Sequence, residues 1–305
     1  MKRTQLGSEG LLLLSAVIWG FSFVAQRVGM RYVGPFTFNA VRFALGSIVL
    51  IPFAVAALRR RPSREMDYSR WKRIALLGGA IAGTVIFIGV SFQQIGIQYT
   101  TAGKAGFITG LYVVLVPILG LAIGRKTSAG TWIGVLLAAV GLYLLSFTGA
   151  FSISRGDLIV LGGTLFWAIH VLLISVLIHR TDGVLLAMIQ FVACSLLSFA
   201  AAFLFEKIEI SGILNATVPI LYGGLMSVGI AYTLQVIAQR RTPPAHAAII
   251  LSLETIFAAV GGWIVLGEVI PARGLAGCAL MLMGIIVSQV GMLRARESGS
   301  PGRLT

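Results

Sequence analysis

Glu254 is an ionisable carboxyl in the middle of an apolar stretch running from 243 to 267. At the centre of a bilayer a charged side chain costs at least about 2.5–3.5 kcal/mol, so its presence needs a reason. Such a carboxyl can hold a proton or bind a solute, one at a time, which is the chemistry of proton-coupled exchange. His170, in a second apolar stretch, is the other candidate for proton coupling, because an imidazole titrates near about 6.5 when unperturbed. Trp19 and Trp167 fall mid-stretch, away from the membrane interface that tryptophan favours. Indole rings there offer a substrate area and a negative face suited to an apolar or cationic portion. Ser22, Gln93, Tyr112 and Gln235 complete the candidate substrate-binding set. Lys104 and His246 lie near opposite ends of their stretches and are candidate gate residues, with interfacial anchoring as the alternative. Each assignment has a structural counterpart: Glu254 as a carboxyl hydrogen-bonded across helices, the tryptophans as packing, His170 as a satisfied interior residue. Arg42, about 10 Å from the end of its stretch, is read as a residue that snorkels or pairs.

The spacing of these residues is duplicated. Trp19 and Trp167, Ser22 and His170, and Arg42 and Gln190 are each 148 apart. Gln93 and Gln235, Lys104 and His246, and Tyr112 and Glu254 are each 142 apart. Gly134 and Gly141 precede Gly277 and Gly284 by 143. Small drift in the offset means that loops changed length while segments kept their order. A duplicated, very apolar chain suggests a transporter made of two structural repeats, 1–150 and 151–305.

The elements that must hold these residues follow from composition. Of 305 residues, 57% are hydrophobic and 11% charged, against about 25% charged in soluble domains. A chain this apolar belongs in a membrane. Ten runs are long enough to span as helices: 10–28, 35–58, 72–97, 101–123, 130–148, 156–178, 183–205, 216–239, 243–267 and 273–293. The expected fold is all-α, ten transmembrane helices as two five-helix repeats. Five is odd, so the second repeat enters from the opposite side and the topology is inverted. The net charge of +14 does not signal nucleic acid, because the basic residues fall in short loops. With a cytoplasmic N-terminus, inside segments hold 17 Lys and Arg, including the cluster from Arg59 to Arg73, and outside segments hold 5. That bias places both termini in the cytoplasm. Cys194 and Cys278 lie in apolar runs without CxxC spacing and read as small apolar residues.

Particular stretches resemble the drug/metabolite transporter superfamily, EamA type. Leu14-Ser15-Ala16-Val17-Ile18-Trp19-Gly20 is similar to the family's first span and Asn39-Ala40-Val41-Arg42-Phe43 to its second. Leu251-Ser252-Leu253-Glu254, through Gly262-Trp263 to Leu266-Gly267-Glu268, is similar to its ninth. Thr255 departs from the pattern, standing where the family commonly has Pro. The resemblance implies a secondary carrier of the bacterial inner membrane that exports amino acids or other small metabolites. A multidrug or sugar-phosphate-type carrier of the same superfamily is the alternative; Arg27, Arg42 and Lys104 leave an anionic substrate open. A lipid scramblase or an intramembrane enzyme is the reading from another class. No HExxH, GxSxG, paired aspartates or Walker lysine motif is present, so neither enzyme chemistry, metal nor cofactor is expected. The expected partners are a small-molecule substrate and membrane lipid, with no nucleic acid.

Overall fold

The computed structural model describes residues 2–59, 68–146, 154–269 and 272–297. Arg60, Arg61 and Arg64 of the basic cluster, together with Pro62, Pro271 and Arg303, lie outside the described residues. Among the described residues every element is helical. The order is α1 (Lys2–Gly29), α2 (Pro35–Arg59), α3 (Tyr68–Gly96) with a 3₁₀ turn at Ile97–Tyr99, α4 (Ala102–Gly110), α5 (Tyr112–Ala122), α6 (Ala129–Ser146), α7 (Arg155–Leu177) and α8 (Gly183–Phe205). Then come α9 (Ile210–Asn215), α10 (Thr217–Leu221), a π-helix at Tyr222–Tyr232, α11 (Thr233–Ala238), α12 (Pro244–Leu251), α13 (Glu254–Leu266) and α14 (Ala272–Glu297). Among the described residues nine helical segments are long and apolar enough to cross a membrane; α6, apolar over Ala129–Leu144, is shorter. The end of the run expected at 130–148 falls outside the described residues.

Two of the spanning segments are broken at matching places. α4 and α5 are separated at Leu111, and α12 and α13 at Ser252-Leu253. At each break the backbone tightens: Leu111 N–H donates to the Ile108 carbonyl at 3.2 Å, and Leu253 N–H to Ile250 at 3.2 Å. These i→i−3 bonds replace the α-helical ladder for one turn. The break before Glu254 needs no proline. Thr255 N–H turns back to the Ser252 carbonyl at 3.1 Å, and its hydroxyl donates to the Gly106 carbonyl of α4 at 3.0 Å.

Helices approach closely where glycine lets them, the expected mode where lipid supplies no hydrophobic drive. A Cβ on Gly134 would sit 2.5 Å from the Gly284 carbonyl, and one on Gly141 2.5 Å from the Gly277 carbonyl, so α6 and α14 meet backbone to backbone.

Carboxylates fasten two helix starts. Glu206, just past α8, accepts from Phe36 N–H at 2.7 Å and from Thr37 N–H at 2.8 Å and hydroxyl at 2.6 Å. Glu268, past the left-handed Gly267 that ends α13, accepts from Ala102 and Gly103 N–H at 3.0 and 3.1 Å. Both satisfy orphan amides at the positive end of a helix dipole. Glu206→Ala is expected to cost about 1–3 kcal/mol, since it strands α2's first donors. Thermal unfolding in detergent should drop by several degrees. Glu209→Ala, which removes only the exposed pair with Lys207 at 2.9 Å, should leave the transition in place.

Candidate functional site

α1, the π-helix and α11 run antiparallel. Ser15 donates to the Ala231 carbonyl at 3.0 Å, and Trp19 Nε1 to the Ser227 carbonyl at 3.3 Å. Tyr222 donates from its hydroxyl to the Ile18 carbonyl at 2.9 Å. That pairing puts Gln26 and Gln235 at opposite ends of the contact. Between them lies a narrow cavity of about 40 Å³, room for a few water molecules. Helices from both halves of the chain wall it. All eight residues expected to bind substrate line it: Trp19, Ser22, Gln93, Tyr112, Trp167, His170, Gln235 and Glu254.

The π-helix supplies the residue at its hub. Tyr232 takes Trp19 edge-on at a centroid distance of 4.6 Å, Trp167 in a stack at 6.1 Å and His170 edge-on at 6.2 Å. Tyr232 was not among the sequence candidates. Its only sequence signal is its place three residues before Gln235, on the same helical face. Gln26, one turn beyond Ser22, was missed as well.

The ends of the cavity are closed by amides. At one end Gln26 donates to the Ser22 hydroxyl at 3.2 Å and receives the Gln93 amide at 2.9 Å. At the other, Gln235 donates to Gln239 at 3.1 Å, and Gln239 to the Val171 carbonyl at 2.9 Å. His170, 1% exposed, pairs its Nε2 with Gln190 Oε1 at 3.1 Å. The wall is otherwise under-satisfied. Among the described residues Thr109 Oγ1, Tyr112 Oη, Trp167 Nε1 and Gln235 Oε1 are buried without a hydrogen-bond partner. In a medium without water such groups cost free energy, so several on residues lining one cavity suit a site that binds polar solute. Tyr112 and Glu254 begin the second halves of the two broken helices. Their polar ends approach each other within electrostatic reach, but without good hydrogen-bond geometry for the Tyr112 hydroxyl. Glu254 is 4% exposed and meets no cation among the described residues.

The two gate candidates stand outside this cavity. Lys104 is 3.9 Å from Asp157, a carboxylate that also accepts from Thr100 at 2.6 Å and from Ser154 N–H at 2.9 Å. His246 is buried, with Nδ1 on the Ser288 hydroxyl at 2.9 Å and Nε2 3.6 Å from Glu9. Arg42 neither snorkels nor pairs. It is 2% exposed, lines the cavity, and has its guanidinium over the rings of Phe38 and Phe43 at 5.4 and 5.0 Å. Cys194 and Cys278 are free thiols, and no metal-binding cluster occurs among the described residues.

A multi-pass helical membrane protein with a cavity of aromatic and polar side chains between its broken helices has the build of a solute transporter. The chain belongs to the EamA-like transporter family of the drug/metabolite superfamily, which matches it twice, at residues 7–147 and 154–289. It is 33% identical over 297 residues to an uncharacterized transporter of Archaeoglobus fulgidus, covering 93% of this chain and 89% of that one. It is 20% identical to the uncharacterized transporter YoaV of Bacillus subtilis, covering 94% and 97%. It is 23% identical to the uncharacterized inner membrane transporter YedA of Escherichia coli, covering 94% and 90%. A solved crystal structure shares the fold with a TM-score of 0.72 at 18% identity, covering 96% of this chain and 99% of that one.

Proposed function

We propose that this protein is a secondary active transporter that exports small organic solutes, amino acids or related metabolites, from the bacterial cytoplasm by alternating access. The observation that carries this reading is the cavity. Residues chosen only for polarity and repeat spacing converge on it from both halves of the chain, and their unpartnered polar atoms point to a ligand. At about 40 Å³ the cavity is smaller than an organic solute needs. Substrate entry therefore requires the helices around it to part. In the proposed arrangement ten helices form two inverted five-helix repeats, 1–150 and 151–305, with both termini cytoplasmic. The glycine contacts support it. Exchanging each glycine for its repeat mate turns the Gly134–Gly284 contact into Gly277–Gly141, the other contact found between α6 and α14. The matched breaks before Tyr112 and Glu254 support it too. Trp19, Ser22, Tyr112, Trp167, Glu254 and the amides Gln93 and Gln235 contact the substrate, and Glu254, with His170 in reserve, carries the coupled proton. Lys104 and His246 act at the two mouths, outside the cavity.

Proteoliposomes containing the purified protein and screened with amino acids, sugars and cationic drugs test the reading. Saturable uptake or efflux of at least one class is expected, reduced about tenfold or more by Trp19→Ala. If no solute moves faster than through protein-free vesicles, transport is the wrong function. The orientation is tested separately by single cysteines in a background lacking Cys194 and Cys278. A cysteine at Glu209 should react with an impermeant maleimide added to intact cells, and one at Lys126 only after the cells are opened; the reverse pattern would invert the topology.

A further inference from the structure

Arg42 is a charge without a counter-charge. Its Nε donates to Asn39 Oδ1 at 3.0 Å, and its two Nη groups make no hydrogen bond among the described residues. No carboxylate there pairs with it. The electrostatic neighbours that reach it are the Tyr232 hydroxyl and the Cys194 thiol, both weak acids and neither an anion at neutral pH. Phe38 and Phe43 hold the guanidinium plane from their side, and a Cβ at Gly223 would come within 3.2 Å of Arg42 Cδ, so the side chain is fixed in place. It is the one cationic residue in the cavity wall. A buried charge is costly unless something pairs with it, and here nothing in the described protein does. Glu254, on the same cavity, is the opposite case. Both stand on the wall of one cavity with Tyr232 within electrostatic reach of each, and neither makes an ion pair among the described residues.

We propose that Arg42 anchors a carboxylate group of the transported solute in this cavity. The proposal rests on the transport reading and deepens it. A guanidinium presents its N–H groups in a planar fork that matches a carboxylate, and the hydrogen bonds are strengthened by both charges. A doubly charged phosphate would call for a second cation, which the wall does not hold. The solute is thus an organic acid, or an amino acid whose ammonium faces Glu254, with its side chain against Trp19, Trp167 and Tyr232.

The test measures uptake of three probes in proteoliposomes: 3-phenylpropionate, phenethylamine and phenylalanine. They share a ring and differ in charge. Wild type should carry at least one carboxylate-bearing probe. Arg42→Gln should lower uptake of the carboxylate-bearing probes by about tenfold or more and leave phenethylamine uptake where it was. Arg42→Lys keeps the charge but not the fork. It should fall between the two, and it carries the test if the Gln variant does not fold. Uptake of the carboxylate probes unchanged in Arg42→Gln, or an equal loss of all three probes in both variants, overturns the anchor and leaves Arg42 structural. Wild type that carries phenethylamine but neither carboxylate also overturns it, with the transport reading intact. Wild type that carries none of the three counts against both.

Discussion

Glu254→Gln is expected to abolish proton-driven accumulation while leaving the protein folded and able to exchange substrate across the membrane. The residue opens α13 inside the cavity wall, is 4% exposed and has no cationic partner among the described residues. A carboxyl so placed can take up a proton or bind the solute, and competition between the two is sufficient to couple their movements in opposite directions. Glutamine keeps the shape and the hydrogen-bonding capacity and loses the titration. One pH unit across the membrane is worth about 1.4 kcal/mol per proton, or about tenfold accumulation for one-for-one exchange. Wild-type vesicles under that gradient should approach this ratio. Glu254→Gln vesicles should stay at a ratio of about one, with counterflow of labelled against unlabelled substrate preserved. His170 provides the comparison, since its ring is already engaged by Gln190 at 3.1 Å. Accumulation that survives Glu254→Gln but is lost in His170→Gln would move the proton to the histidine. Accumulation that survives both variants would remove coupling from this cavity altogether.

The residues that were legible in the sequence are those whose cost or repetition marked them. Glu254 stood out because a carboxyl at mid-span is expensive. Tyr112, with an ordinary side chain, was found only as its counterpart 142 residues earlier. Both begin half-helices facing one cavity. What was illegible came from local departures of the backbone and from contacts across helices. A π-helix over Tyr222–Tyr232 holds its residues off the 3.6 period, so only Gln235, three residues further on, marked the face that Tyr232 takes. Its repeat counterpart, Val90, gives no polar hint. The break at Ser252-Leu253 has no proline to announce it. It depends on Thr255 reaching the Gly106 carbonyl, a bond between residues 149 apart. Arg42 was placed as a snorkelling or paired residue because its depth alone suggested escape. Phe38 and Phe43, one turn before it and directly after it, instead close over the guanidinium.

Gly20→Val should have the largest effect of any single methyl-scale change near the site. Gly20 follows Trp19, where α1 lies against the start of α13. A Cβ there would stand 2.7 Å from the Glu254 carbonyl oxygen and 2.8 Å from the Ala258 amide nitrogen, and closer still to Phe257 Cβ. Two of these are backbone atoms, which cannot turn aside as a side-chain tip can. α1 and α13 would have to separate, carrying Trp19 away from Glu254 and loosening the Ser227 bond that orients the indole. Overpacking of this kind costs about 1–3 kcal/mol or more. The midpoint of thermal unfolding in detergent should fall by several degrees, and transport should fall further than the stability loss explains. Gly10→Val, on the same helix, is the matched control. A Cβ at Gly10, an exposed position, meets nothing within 4 Å, so the same side chain starts there in open space. Gly10→Val should transport like wild type. If the two variants behave alike, close approach of α1 to α13 is not what sets the geometry of the cavity wall, and the cavity is held by the polar contacts at its ends instead.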